Sequence, residues 1–310
     1  MNVTFRQLKV FLAVAEQLNI TAAARVCCVT QPTVSMQLRE LTAEVGQPLY
    51  EQIGKRIYLT AAGEALARTA RAMVQEWSAF EQHMDGLKGL TRGRLRLAVV
   101  STAKYFVPSL LGDFCQRHPD IEIALEVLNR DGVLARLEAN LDDLYIMSMP
   151  PAGRALETQR FLPNPLVVIA AATHPLAQRR GLQLADLAGE RFILREQGSG
   201  TRLACDAHFA QLGFTPQVRL ELGSNEAIKR SAAAGMGLAV MSEHALAAQP
   251  AEDGVAVLDV AGFPLMSNWW TLYPRGKRLS PVASAFLAHL GEAAGAWYAL
   301  RHPPGAAAAG

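Results

Sequence analysis

Little in this chain marks it for a membrane, a metal or an oxidising compartment. No apolar run approaches the roughly 20 residues of a membrane span, so no spanning segment is expected. The stretch from Met1 to Gln17 carries Glu16 and Gln17 and no cleavage-like segment, so no export signal is read and the cytoplasm is the expected compartment. Cysteine is scarce: Cys27, Cys28, Cys115 and Cys205 form no CxxC pair, and adjacent cysteines rarely bridge each other. They are read as reduced, mostly buried small hydrophobes. The seven histidines are scattered without ligand spacing, so no metal site is expected. Excess charge is missing too, with a formal balance of only +2. A nucleic-acid binder with so small a balance must concentrate its cations locally. Catalytic signatures are equally thin. The segment Gly198-Ser199-Gly200-Thr201-Arg202 lacks the lysine and spacing of a Walker loop, no GxGxxG follows a strand-like run, and no GxSxG elbow exists. Neither an enzymatic activity, with catalytic residues, nor a cofactor is expected.

What is present is patterning. The 310 residues are half hydrophobic, enough for two or three domains at roughly 100–200 residues each. In the first sixty, Phe5, Leu8, Phe11, Leu12 and Ala15 recur at helical spacing, which predicts an amphipathic helix over 4–17. Thr21 is the expected cap of a short second helix, AAARV, whose alanines admit a close neighbour. After a turn at Cys28-Val29, Thr30 caps a third helix with Pro32 in its first turn, where a missing N–H costs nothing. That helix puts Val34, Leu38, Leu41 and Val45 on one face and Gln31, Thr33, Ser35, Met36 and Arg39 on the other. Two helices, a tight turn and a polar-faced third helix form the helix-turn-helix arrangement, whose recognition helix lies in the major groove. PLYEQIGKRIYLT reads as a hairpin with its tip at Gly54-Lys55-Arg56, a wing with cations for phosphates.

From 61 to 90 the pattern is one long helix without proline. Leu66, Ala70, Met73, Trp77, Phe80, Met84 and Leu87 fall at alternating spacings of 4 and 3, a heptad seam. It suits a dimerisation helix pairing with a second chain, or packing onto the chain's own later domain. From Gly93 onward, strand-like runs such as LRLAVV, IEIALEV, LVVIAA, RFILR and LAVMS alternate with helical stretches, the mark of an α/β domain. A last helix is expected over about 281–299, and the closing HPPGAAAAG reads as a disordered tail.

Two segments look built for anions. Ser101-Thr102-Ala103-Lys104 follows LRLAVV, and Gly198-Ser199-Gly200-Thr201-Arg202 follows RFILRE. Each opens a predicted helix with hydroxyls and a cation, where the dipole favours negative charge. Ser224-Asn225, before AIKRSAAAG, is a third. The same hydroxyls also suit ordinary N-caps.

The ordered set Ala23-Ala24, Gln31-Pro32, Val34-Ser35, Leu41, Gly46, Leu49 and Leu59-Thr60…Gly63 resembles the N-terminal signature of LysR-type transcriptional regulators. The chain departs from that pattern at Asn19, Cys27, Thr42 and Gln52, where the family usually has serine, leucine, glutamate and arginine. The resemblance implies an α+β chain. A winged helix-turn-helix over 1–60 and a linker helix over 61–90 precede an effector domain over 91–300, with a tail from 301. The effector domain is expected to be a two-lobed α/β domain like a type II periplasmic-binding protein. Its first lobe covers about 91–163 and 269–300, and its second about 164–268. The crossings come near Pro163-Asn164-Pro165 and Ser267-Asn268, and all three anion segments would then face the cleft. The DNA-binding residues implied are Gln31, Pro32, Thr33, Ser35, Met36, Arg39, Lys55 and Arg56. RGRLRLAVVSTAKYFVPSLL, NPLVVIAAATHPLA and LREQGSGTR further resemble the LysR subgroup that controls Calvin-cycle (RuBisCO) operons, often called CbbR. That likeness implies operator DNA, a homodimer or homotetramer, and RNA polymerase as a further partner. It also implies an effector such as ribulose 1,5-bisphosphate, phosphoenolpyruvate or NADPH. A regulator of another metabolic operon is the nearest alternative. A solute-binding protein would leave residues 1–90 unexplained, and an enzyme would need a placed nucleophile, acid/base pair or metal.

Overall fold

The computed structural model describes residues 2–53, 56–86 and 92–302. They form two compact units, a smaller one running to Met84 and including Ala139–Leu141, and a larger one of Asp85–Glu138 and the residues from Asp142 onward.

The smaller unit is built on local caps. Helix α1 (Phe5–Gln17) starts at Thr4, whose hydroxyl accepts from the Gln7 N–H while Gln7 Oε1 accepts from the Thr4 N–H. This reciprocal pair satisfies two orphan donors. Helix α2 (Ile20–Val26) is capped by Asn19, whose Oδ1 accepts from Ala22 N at 3.0 Å. The expected cap, Thr21, lies inside the first turn instead, because the asparagine upstream reaches the first free amides before it. Helix α3 (Gln31–Val45) begins at Thr30 with proline in its first turn and ends at Gly46, φ 73°. Ala23, Ala24, Val34, Leu38 and Leu41 close a core with Phe11 of α1. Strands β1 (Tyr50–Ile53) and β2 (Arg56–Leu59) form the antiparallel hairpin. Helix α4 (Ala61–Gly86) follows. Thr60 Oγ1 donates to Pro48 O and accepts from Gly63 N, tying the start of α4 to the hairpin's entry. A Cβ at Gly63 would lie 1.9 Å from the Leu49 carbonyl oxygen, so only glycine lets α4 sit on that backbone.

The larger unit contains β3 (Gly93–Val100), a 3-10 turn at Ser101–Tyr105, α5 (Val107–Arg117), β4 (Ile121–Leu128), α6 (Arg130–Glu138), β5 (Leu144–Met147) and β6 (Leu156–Ala171). These are followed by β7 (Arg191–Arg195), α7 (Gly200–Gln211), β8 (Gln217–Leu222), α8 (Asn225–Ala233), β9 (Leu238–Ser242), β10 (Val255–Val257), β11 (Leu265–Pro274) and α9 (Pro281–Arg301). Strands β4-β3-β5 are parallel neighbours, as are β8-β7-β9. The two parallel groups are joined by β11 and β6, which run antiparallel with Pro163 opposite Asn268 and Asn164 opposite Ser267. One core gathers Phe106, Phe114, Trp269 and Phe286; another gathers Phe192, Phe209, Leu238 and Val240. Strand β6 is far longer than the run LVVIAA indicated, starting at Leu156. Its prolines are tolerated because β9 pairs only from Leu166 onward, so Pro163 and Pro165 lie where β6 has β11 alone as a neighbour.

Candidate functional site

In an open parallel sheet, ligands bind beyond the carboxyl ends of the strands. Three such ends meet at one guanidinium. Arg195 is the last residue of β7, and its side chain is 4% exposed. Its Nη1 donates to Thr102 Oγ1 at 3.1 Å, just past β3, and to Asn225 Oδ1 at 2.9 Å, just past β8. Nη2 donates to Ser101 Oγ at 3.4 Å. Nε and Nη2 form a two-pronged bond to Glu196, at 2.7 and 2.8 Å. Asn225 Nδ2 also donates to Thr102 Oγ1 at 2.9 Å. The cluster therefore draws residues from both parallel groups around a buried cation. Next to it, the Tyr105 hydroxyl donates to Glu226 Oε1 at 2.6 Å, a second bond between the two groups. That hydroxyl holds the Glu226 carboxyl below its ordinary range, helped by Lys229 and Lys104.

Several expected site residues take other places. Ser101-Thr102-Ala103-Lys104 opens no α-helix: the segment is a 3-10 turn without a side-chain cap, and its hydroxyls accept from Arg195 instead. Lys104 is exposed, with Nζ 5.1 Å from the Tyr105 ring centroid. Arg202 does not serve as a free cation. Its Nε lies 2.9 Å from Asp206, and its Nη1 donates to Glu221 and to the Arg195 carbonyl, both at 2.9 Å. Ser199 and Ser224 are the N-caps of α7 and α8. Gly198 takes a left-handed φ of 82°, which suits glycine. A Cβ at Gly200 would come within 2.4 Å of Ser148 Oγ, so glycine allows α7 to approach the end of β5. Thr201 is buried at the start of α7. Arg195 and Glu196 were not singled out by sequence reasoning. The only signal was the Arg195-Glu196 pair closing the run RFILRE, whose middle, Phe192-Ile193-Leu194, is apolar.

The cysteines depart from expectation as well. Only Cys205 is buried; Cys28 is exposed, and Cys27 and Cys115 are intermediate. Burial pushes the Cys205 thiol up to about 12, which suits an inert packing residue rather than a redox sensor.

In the smaller unit, α3 buries Val34, Leu38 and Leu41 and leaves Gln31, Pro32, Met36 and Arg39 exposed. Ser35 is half-buried, and Thr33 shares a 2.8 Å hydroxyl contact with Thr30 at the cap. Arg56 is exposed at the start of β2, while Lys55 lies outside the described residues. The heptad seam divides. Leu66 and Ala70 pack into the helical core, Ala70 completely, so these two are taken up within the chain. Met73, Trp77, Phe80 and Met84 are 43–51% exposed, with the Trp77 and Phe80 rings 5.5 Å apart. Leu87 and the segment from 303 onward fall outside the described residues. No group of three or more metal-ligating side chains occurs among the described residues.

Known proteins resemble the chain over both of its units. Residues 5–64 match the bacterial regulatory helix-turn-helix protein, lysR family, and residues 88–295 match the LysR substrate binding domain. The chain is 46% identical over 287 residues to the RuBisCO operon transcriptional regulator of Acidithiobacillus ferrooxidans, covering 93% of each. The regulatory domain of CcmR from Synechocystis PCC6803, solved in complex with 2-PG, is 47% identical with a TM-score of 0.63, covering 66% of this chain and 98% of that one. Full-length CbnR, solved with its target DNA, has a TM-score of 0.67 at 24% identity over 93% of this chain and 99% of its own, a likeness of fold.

Proposed function

This chain belongs to the LysR family of bacterial helix-turn-helix regulators, and on that footing we propose that it controls a RuBisCO operon in response to a small phosphorylated acid held at Arg195. It is a LysR-type transcription regulator, not an enzyme. The observation that carries the effector reading is the buried Arg195 guanidinium. Its planar fork matches carboxylate and phosphate oxygens. Thr102, Ser101 and Asn225, from segments far apart in sequence, surround it. A ligand gripped there would touch both parallel groups and so bias their closure, the usual device of hinged domains. The complex of CcmR with 2-PG favours a small phosphorylated acid, and nothing found favours NADPH. Calorimetry of the full chain with 2-phosphoglycolate, ribulose 1,5-bisphosphate, phosphoenolpyruvate and NADPH tests this. Binding of a small phosphorylated acid is expected, and no binding by any phosphorylated compound would refute it.

DNA is read by α3, with Gln31, Pro32, Thr33, Ser35, Met36 and Arg39 at or near base edges and Arg56 on phosphate, joined by Lys55. The exposed stripe Met73, Trp77, Phe80 and Met84 pairs α4 with a second chain. The domain division is that of the sequence reading: reader over 1–60, linker helix over 61–90, effector domain over 91–300. Work on operator DNA implies the cytoplasm, and among the described residues no helix is long and apolar enough to cross a membrane.

A further inference from the structure

We propose that Glu196 is a built-in stand-in for the effector: its carboxylate occupies the fork of Arg195, and an anion binds by replacing it. The inference rests on Arg195 being the anion site. A guanidinium has five N–H donors. Here Nε bonds Glu196, Nη1 bonds Thr102 and Asn225, and Nη2 bonds Glu196 and Ser101. That accounts for all five, so an anion can engage this cation only by exchange.

The structure also indicates which partner yields. Thr102 and Asn225 are buried and bonded to each other. Asn225 is further fixed as the first residue of α8. Ser101 is half-buried but meets only one nitrogen, at 3.4 Å, whereas Glu196, whose side chain is 27% exposed, holds the two-pronged edge that an anion needs. Beside it stands Gly223, where a Cβ would meet the Glu196 carboxyl carbon at 3.9 Å, so this neighbour sets no side chain against it. The two bonds that Glu196 makes, at 2.7 and 2.8 Å, have the bidentate geometry that a ligand carboxylate or phosphate would adopt. Exchange makes affinity a difference between two ion pairs rather than the full value of one. A singly charged anion gains little by displacing a carboxylate. A dianionic phosphate gains more, so Glu196 sets a charge threshold and with it the concentration at which the regulator responds.

The test compares wild type with Glu196→Gln and Glu196→Asp in the full chain, titrated with 2-phosphoglycolate and with inorganic phosphate. Glu196→Gln keeps the shape and removes the competing charge, so both anions should bind it roughly tenfold tighter or more, about one charge-assisted hydrogen bond no longer surrendered. Glu196→Asp, too short to keep both bonds, should tighten binding by less. It decides the matter alone if the glutamine variant fails to fold. A folded variant that binds both anions as wild type does, or more weakly, overturns the proposal while leaving Arg195 as the anion site. If neither anion binds wild type or variant, the effector reading itself falls and takes this inference with it.

Discussion

Replacing Arg195 and Arg202 in turn by methionine separates two arginines that look alike in the sequence. Both lie near Gly198-Ser199-Gly200-Thr201, and both are anchored by carboxylates, but their surroundings differ. Arg195→Met keeps an apolar stem and deletes every donor aimed at Ser101, Thr102, Asn225 and Glu196. A charge-assisted hydrogen bond contributes about 1.5–3 kcal/mol, but the anion replaces Glu196 there, so only the difference between the two pairs is lost and effector binding should weaken about tenfold or more. Arg202→Met removes a bond to the Arg195 backbone carbonyl and pairs with Asp206 and Glu221, whose side chains are 51% and 41% exposed, but leaves the Arg195 side-chain donors in place. Such pairs are worth about 0–1 kcal/mol each, so effector affinity should change by less than about threefold, and stability should fall slightly. Isothermal calorimetry with 2-phosphoglycolate gives the affinities, and thermal unfolding gives the stability. Wild-type affinity in Arg195→Met together with a large loss in Arg202→Met would refute the placement of the anion.

The remaining expectations concern other parts of the chain. Arg39→Ala should weaken specific over non-specific DNA binding, whereas Arg56→Ala should weaken both and flatten the salt dependence; a gel-shift series at several salt concentrations checks this, and equal affinities would remove α3 and β2 from the interface. If the exposed stripe pairs two chains, replacing Trp77 and Phe80 together by glutamate should lower the mass in sedimentation, and an unchanged mass would show that the stripe has no partner chain. His244, packed between Phe106 and Trp297, is lowered from 6.5 to about 3 by burial, with Arg301 and His302 adding to the effect. The unfolded chain therefore takes up the proton first on acidification, and stability is lost as pH falls from 6.5 towards 3, by up to about 1.4 kcal/mol per pH unit. His244→Phe should flatten that part of the stability profile in urea titrations; an unchanged slope would contradict the shift.

Legibility in the sequence followed the range of the interactions. Thr30, Pro32 and Gly46 mark the ends of α3 through contacts with their own backbone, so this helix was visible from spacing alone. The cap of α2 was misassigned because Asn19 and Thr21 are both competent and only the backbone path chooses between them. Ser101, Thr102 and Asn225 were singled out, but not for the contacts they make in the structure. Spacing indicated caps and helix dipoles, whereas Thr102 and Asn225 meet at Arg195 across 93 and 30 residues of chain. Arg195 itself was hidden in an apolar run that reads as a core strand. The pairing of Arg202 was not visible because the acids that hold it, at 206 and 221, carry no local mark of their task. The long pairing of β6 with β11 was masked by Pro163 and Pro165, which argue against a strand unless a free edge is known.

The account turns on one coupling, between a phosphorylated acid at Arg195 and DNA held by α3. Footprinting of the full chain on the DNA upstream of its own genome's RuBisCO operon, with and without 2-phosphoglycolate, measures that coupling directly. Wild type should protect this DNA in preference to unrelated sequence, the acid should shift its affinity or footprint, and Arg195→Met should bind the same DNA without the shift. Protection that is indifferent to the acid in wild type, or no preference for that DNA, would contradict it.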